Sequence, residues 1–384
     1  MIRTMSLLRA LIGTSRLLRH TPRLAAGHPP DDDVLLDAPD GRLGPALVAA
    51  ALADPEPAAK LLATTRDAEE WEDRDRYVSR LSAFAYRRDG WLEHWLAAAP
   101  HDPDALLVKA QLAVRRAWDS PARAERLRDL GPLIEAAAEA APRDPVPWRL
   151  ALDHARGAHA GHTAFETLWE QAVRRAPRHY GSHVAALKYL SAQWYGSHRE
   201  CFDFAEDAAE DALPGSLVQA LPVRAAFAQL IAGSDAGHGV AGDRIDAACD
   251  RALALSAEYP AGDPWPAEVR NLLVHVLVER GRWHDALAEF GRIGAQATSF
   301  PWTLVADDPL RGFLEARTCA VREVARRTPL RAGAAAGPGS APRSGTFPGA
   351  RPDAFPESFP RTFPGWEGPA AGRPGRGGSG GHYA

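Results

Sequence analysis

Residues 145–177 read PVPWRLALDHARGAHAGHTAFETLWEQAVRRAP, and their pattern decides the fold. From Trp148 the apolar positions fall three and four apart, at Ala151, Leu152 and Ala155, which is the spacing of one helical face. A turn from Gly157 to Gly161 interrupts the pattern, which resumes at Phe165, Trp169 and Ala172 and stops at Pro177. Proline suits a first helical turn and stops a helix that runs into it, so Pro145 and Pro177 delimit two helices. Small side chains let their axes approach, and the aromatic rings fill the groove toward the next pair. The stretch reads as one helical hairpin.

The way it ends recurs along the chain. Ala99-Pro100-His101-Asp102-Pro103, Ala141-Pro142-Arg143-Asp144-Pro145 and Ala176-Pro177-Arg178 each close an alanine-rich helix and open the next, and Tyr259-Pro260 closes a fourth. These prolines lie 42, 35 and 83 residues apart, the last interval being close to two units, and such periods mark arrays of helical hairpins. Further pairs are expected over 71–98, 103–141, 180–211, 216–258 and 268–293, preceded by two short helices that part at Asp54-Pro55. No segment of comparable length alternates with period two, so the fold class is all-α.

With Trp148 near the start of the first helix, small residues where the helices cross, Trp169 and Ala172 on the second helix and Pro177 at its end, residues 145–177 resemble a tetratricopeptide repeat. The run GRWHDALAEF, residues 281–290, is similar to the same family, with Ala286 and Phe290 at the small and aromatic positions. Phe165 departs from the family pattern, which usually has alanine there. The resemblance implies a right-handed superhelical solenoid of stacked antiparallel helix hairpins over residues 43–328, acting as a scaffold or adaptor that binds a protein or peptide. In that family the first helix of each hairpin lines the concave surface. Lys109, Arg149, Lys188, Asn271 and His275 are accordingly the partner-binding candidates.

The flanks read differently. Residues 1–42 form a basic N-terminal amphipathic segment and linker, with Arg3, Arg9, Arg16, Arg19 and Arg23 and no acid among the first 30 residues. Arginines interrupt what would have to be the apolar core of a secretory signal. No stretch reaches the roughly 20 consecutive apolar residues of a spanning helix, and membrane association is not expected. Residues 329–384 are rich in Gly, Pro, Ala, Ser and Arg, with Phe-Pro steps at Phe347, Phe355, Phe359 and Phe363. Such a composition cannot bury enough apolar surface to offset its ordering entropy, so a disordered C-terminal tail is expected.

The net charge of -4 is unevenly spread: residues 1–30 carry +5, residues 331–384 carry +3, and residues 31–330 therefore carry -12. An acidic body lacks the basic stripe that nucleic acid requires, and it suits a basic protein or peptide partner. Cys201, Cys249 and Cys319 are far apart and odd in number, which supports neither a disulfide framework nor a paired metal site. They read as buried apolar residues of a cytoplasmic protein.

No catalytic, cofactor-binding or metal-binding residue is assigned. The sequence has no Walker loop, no GxSxG elbow and no Rossmann glycine pattern. His154, His159 and His162 cluster, and His179 and His183 are four apart, without the further ligands of a metal site. The acidic run Glu69 to Asp73 is expected at an exposed linker or a helix start, where carboxylates favour the dipole. The rival reading is an all-α enzyme with a site in the solenoid groove, which would need two or more of Asp153, His154, Glu166, His183 and His275 within hydrogen-bond reach of each other.

Overall fold

A computed structural model describes residues 27–233 and 239–328, all within a compact unit that ends at Thr328. The basic N-terminal stretch before residue 27 and the Pro/Gly/Arg-rich tail lie outside the described residues.

The described chain is predominantly helical. Helices α1 (Leu43–Ala51), α2 (Glu56–Asp67), α3 (Trp71–Arg87), α4 (Gly90–Ala98), α5 (Pro103–Trp118), α6 (Arg123–Arg128) and α7 (Gly131–Ala140) lead to the quoted stretch. That stretch forms α8 (Val146–Gly157) and α9 (His162–Arg175). There follow α10 (Tyr180–Tyr189), α11 (His198–Glu210), α12 (Leu221–Ala232), α13 (Gly242–Ala257), α14 (Ala267–Glu279) and α15 (Trp283–Ile293). A single helical turn, Ser299–Trp302, precedes the last helix α16 (Pro309–Arg327).

The repeated breaks have a common backbone. Ala99, Ala141 and Ala176 stand at φ/ψ of -140/78, -138/76 and -144/91, each just before a proline. The proline ring excludes its predecessor from the helical region, so the same dipeptide ends three helices in the same way. Restart signals differ from helix to helix. Asp102 accepts from the backbone N–H groups of Asp104 (2.9 Å) and Ala105 (3.0 Å) with Pro103 at the first helical position, and Asp308 does the same for α16. Ser197 caps α11 through the Glu200 N–H. Side-chain acceptors here take donors that the helix itself leaves without partners.

Helices pack mainly on their neighbours and next neighbours in sequence: α8 on α9 and α10, α12 on α11, α13 and α14, and α14 on α15. The apolar side chains accordingly fall into successive clusters along the chain, the largest running from α10 to α16. Trp91, Trp95 and Trp283 are buried, whereas Trp148 and Trp169 are only partly so. Helix α3 departs from nearest-neighbour packing by also touching α8 and α10.

The residues just before α1, expected to be a linker, are packed. Leu35–Leu36 (β1) pairs in parallel with Gln296–Ala297 (β2), Leu35 opposite Gln296 and Leu36 opposite Ala297. Asp37 accepts from the Ser299 N–H (3.0 Å) and hydroxyl, and its carboxylate pairs with Arg80 of α3 (2.9 Å). Arg317 of α16 donates to the Pro29 carbonyl (3.2 Å) and to Asp31. This segment therefore straps the last helices of the unit to α3. Two apolar residues are too few to register as a strand in sequence, and their partner lies some 260 residues away.

Two buried arginines serve the breaks. Arg74, wholly buried, pairs with Asp144 (2.6 Å) and Asp104 (2.7 Å) and donates to the Leu62 carbonyl (2.8 Å). Arg270, equally buried, donates to the carbonyls of Ser256 (2.8 Å), Tyr259 (3.0 Å) and Pro260 (2.9 Å), so it satisfies the end of α13 where Tyr259-Pro260 breaks the chain.

Candidate acidic cleft

A cavity of about 840 Å³ opens where the strap reaches α3. Its walls come from Asp40–Arg42 of the strap, Glu69–Asp73, Arg76 and Tyr77 around the start of α3, the Ala176–His179 break and the turn Asp263–Trp265. The acidic run at 69–73 thus sits at a helix N-terminus, where the dipole favours it. Glu69 takes a left-handed conformation (φ 56) that turns the chain from α2 into α3. Trp71, Tyr77 and Trp265 supply aromatic surface.

Carboxylates outnumber guanidinium groups in this cleft. Asp40, Glu69, Glu70, Glu72, Asp73 and Asp263 face Arg42, Arg76 and Arg178, an excess of three acidic groups, of which Glu69 is paired with Arg143 outside the cleft. Arg76 lies over the Tyr77 ring (5.1 Å) and the Trp265 ring (5.3 Å) while it pairs with Asp40 (2.6 Å) and Asp73 (3.0 Å). Arg42 pairs with Glu70 (2.7 Å) and Asp73 (3.2 Å) and also approaches the Tyr77 ring (5.6 Å). The cleft thus already seats guanidinium groups against aromatic rings and carboxylates.

Glu72 stands apart from these pairs. Its carboxylate accepts the Tyr180 N–H (2.7 Å) and lies 3.8 Å from Nε2 of His179. Burial, joined by the like charges of Asp75 and Asp73, raises this carboxyl to about 8 despite the opposing backbone hydrogen bond. Burial in turn lowers His179 to about 4, so the ring is neutral and does not neutralise Glu72. A cation docking beside Glu72 opposes that rise and favours its ionised form.

The structure separates the five residues singled out from the sequence. Arg149 is buried, held by Asp75, Asp153 (3.4 Å) and Gln111 (2.8 Å). Lys188 of α10 is open to solvent among charged groups of α8, α12 and α14. Lys109 is exposed on a different surface, with Arg116 and Arg126. The burial of Arg149 and of Asn271 corrects the expectation of groove residues, while His275 is half-buried. Asn271 is fully buried and spends its amide on the Ala267 and Gln296 carbonyls and its oxygen on Trp302 Nε1 (2.9 Å). His275 lies edge-on to Phe227 (5.3 Å) and Trp302 (5.8 Å), and burial lowers it to about 4. A polar residue at the helical period can point into the core when a long-range partner awaits it, and nothing local in the sequence distinguishes the two cases. The cleft residues were missed for the same reason. Trp71 beside an acidic run and Asp263-Pro264-Trp265 were both legible, but only the strap and the α3–α10 contact bring them together.

The constellation required for the enzymatic reading does not assemble. His154 bonds the Leu127 carbonyl (2.6 Å), His183 bonds the His179 carbonyl (2.9 Å), and Asp153 pairs with Arg149 and Arg156. None of these bonds joins two members of that set. Among the described residues no group of three or more His, Cys, Asp or Glu is placed to hold a metal ion, and no helix is long and apolar enough to cross a membrane.

No protein-family model matches the sequence, and no curated protein and no solved structure matches it either.

Proposed function

We propose that this chain is a binding scaffold: a tetratricopeptide-like array of helical hairpins, stacked as a solenoid, that holds a basic segment of a protein partner in the acidic cleft. The observation that carries the reading is the excess of carboxylates over guanidinium groups in a cavity walled by Trp71, Tyr77 and Trp265. An arginine or lysine side chain meets there the two features that Arg76 and Arg42 already use, an aromatic face and a carboxylate. Successive packing of α8, α9 and α10, and of α12 to α15, supports the hairpin array, and of the three thiols expected to be buried, Cys201 and Cys249 are, whereas Cys319 is exposed.

The test is calorimetric titration of the full chain with an arginine-rich peptide and with the same peptide carrying glutamate for arginine, at low and high salt. Binding of the basic peptide alone, weaker in high salt and weaker again in Trp265→Ala, supports the reading. Equal binding of both peptides, or of neither, rejects it. A pull-down from native cytoplasm with the full chain then identifies the partner.

A further inference from the structure

Helix α10 carries Tyr180 at its start and Lys188 about two turns on, flanked by Arg156 of α8 and Arg224 of α12. Both arginines are fixed by stacking. The Arg156 guanidinium lies against the indoles of Trp118 (4.4 Å) and Trp194 (4.7 Å) and donates to Asp153 (3.2 Å). Arg224 stacks on Phe300 (4.4 Å), approaches the Tyr180 ring (5.8 Å) and donates to Glu268 (3.3 Å from Nη1).

Those bonds leave donors over. Nε of Arg156, Nε of Arg224 and the Tyr180 hydroxyl are buried and meet no acceptor among the described residues. The Lys188 ammonium likewise has neither an ion pair nor a hydrogen bond there, only its main chain being engaged. Lys188 itself is exposed to solvent. The charged groups that act on its amine are Arg156 and Arg224, with Asp153 and Glu268 opposing them. Arg156, Lys188 and Arg224 against Asp153 and Glu268 leave one positive charge. Buried donors without acceptors are costly, and a charged acceptor recovers that cost most fully.

We propose that Tyr180, Lys188, Arg156 and Arg224 form a binding site for the oxyanion, carboxylate or phosphate, of a small molecule. The stacked arginines preorganise the site, so little side-chain entropy is lost when the anion enters. Its preference in charge is opposite to that of the acidic cleft, and the two sites are testable separately.

The experiment follows thermal unfolding and calorimetric binding of the full chain with inorganic phosphate and with succinate, against sodium chloride at matched ionic strength. The expected result is a saturable rise in midpoint beyond the chloride control with at least one probe. The half-saturating concentration then rises tenfold or more in Lys188→Met and in Tyr180→Phe. A response to phosphate alone assigns a phosphate ligand, and one to succinate alone a carboxylate. Without ligand both variants are expected to keep the wild-type circular dichroism, because each removes a donor that has no internal acceptor; if Lys188→Met does not fold, Tyr180→Phe decides alone. No saturable response to either probe, or an unchanged response in the variants, overturns the site.

Discussion

Arg74 Nε donates to Asp144 Oδ2 at 2.6 Å, with both side chains sealed from solvent and 70 residues of chain between them. Asp144 belongs to the Ala-Pro-Arg-Asp-Pro break and also accepts the Val146 N–H (2.8 Å), so one carboxylate both starts α8 and anchors it to α3. Removing one partner of a buried pair strands the other charge, which costs about 3–5 kcal/mol. Arg74→Met and Asp144→Asn are each expected to lower the urea unfolding free energy by that amount. The exposed pair Arg311–Glu315 serves as control, and Glu315→Gln should leave the urea midpoint in place.

Glu72 links the cleft to pH. Its carboxyl, raised from 4.5 to about 8, holds its proton in the folded chain where the unfolded chain has lost it. The stabilisation it gives is therefore present below about pH 4.5 and is lost as pH rises toward 8. Glu72→Gln should match the wild type in acid and become progressively more stable than it across that window, as read by urea melts at several pH values. Docking a cation favours the ionised form, so binding of an arginine-rich peptide is expected to release a proton below pH 8. Titrations in two buffers of different ionisation enthalpy measure that release, and Glu72→Gln should abolish it.

These groups mark where sequence stopped being sufficient. The helices were legible because their signals are local: apolar spacing at Trp148, Ala151, Leu152 and Ala155, and an alanine before each proline of the recurring break. Nothing local in the sequence marks Arg74 and Arg270 as buried, because the carbonyls and carboxylates that surround them come from other helices and the breaks between them. Asn271 has the helical position of a binding residue, but the Trp302 indole N–H, 31 positions away, donates to its oxygen in the core. Local pattern fixes which face a residue lies on, whereas long-range packing decides whether that face meets water, protein or ligand.

The strap gives a third test. Asp37 holds Ser299 and Arg80 at once, so Asp37→Ala removes the contact that ties β1 to both α3 and the turn before α16. A loss of about 1–3 kcal/mol is expected for these charge-assisted bonds. Limited proteolysis should then cut within residues 28–42 sooner than in the wild type, before the helices of the unit are attacked. Cleavage at the wild-type rate would mean that the two-residue strand pair holds the strap without Asp37.

His275 supplies the acid limb of the stability profile. Its ring packs against Phe227 and Trp302, and burial lowers it from 6.5 to about 4. A group whose folded pKa is depressed binds its proton more readily when unfolded, so its contribution is complete above pH 6.5 and is lost as pH falls toward 4. His179, lowered similarly by burial, acts in the same direction. Replacing His275 with phenylalanine keeps the edge-to-face contacts and removes the titration. At pH 7 the His275→Phe variant should lie close to the wild type, and at pH 5 it should exceed it by about 1–2 kcal/mol. Equal stabilities at pH 5 would mean that the His275 ring charges in place, with solvent able to reach it between α12 and the Ser299–Trp302 turn.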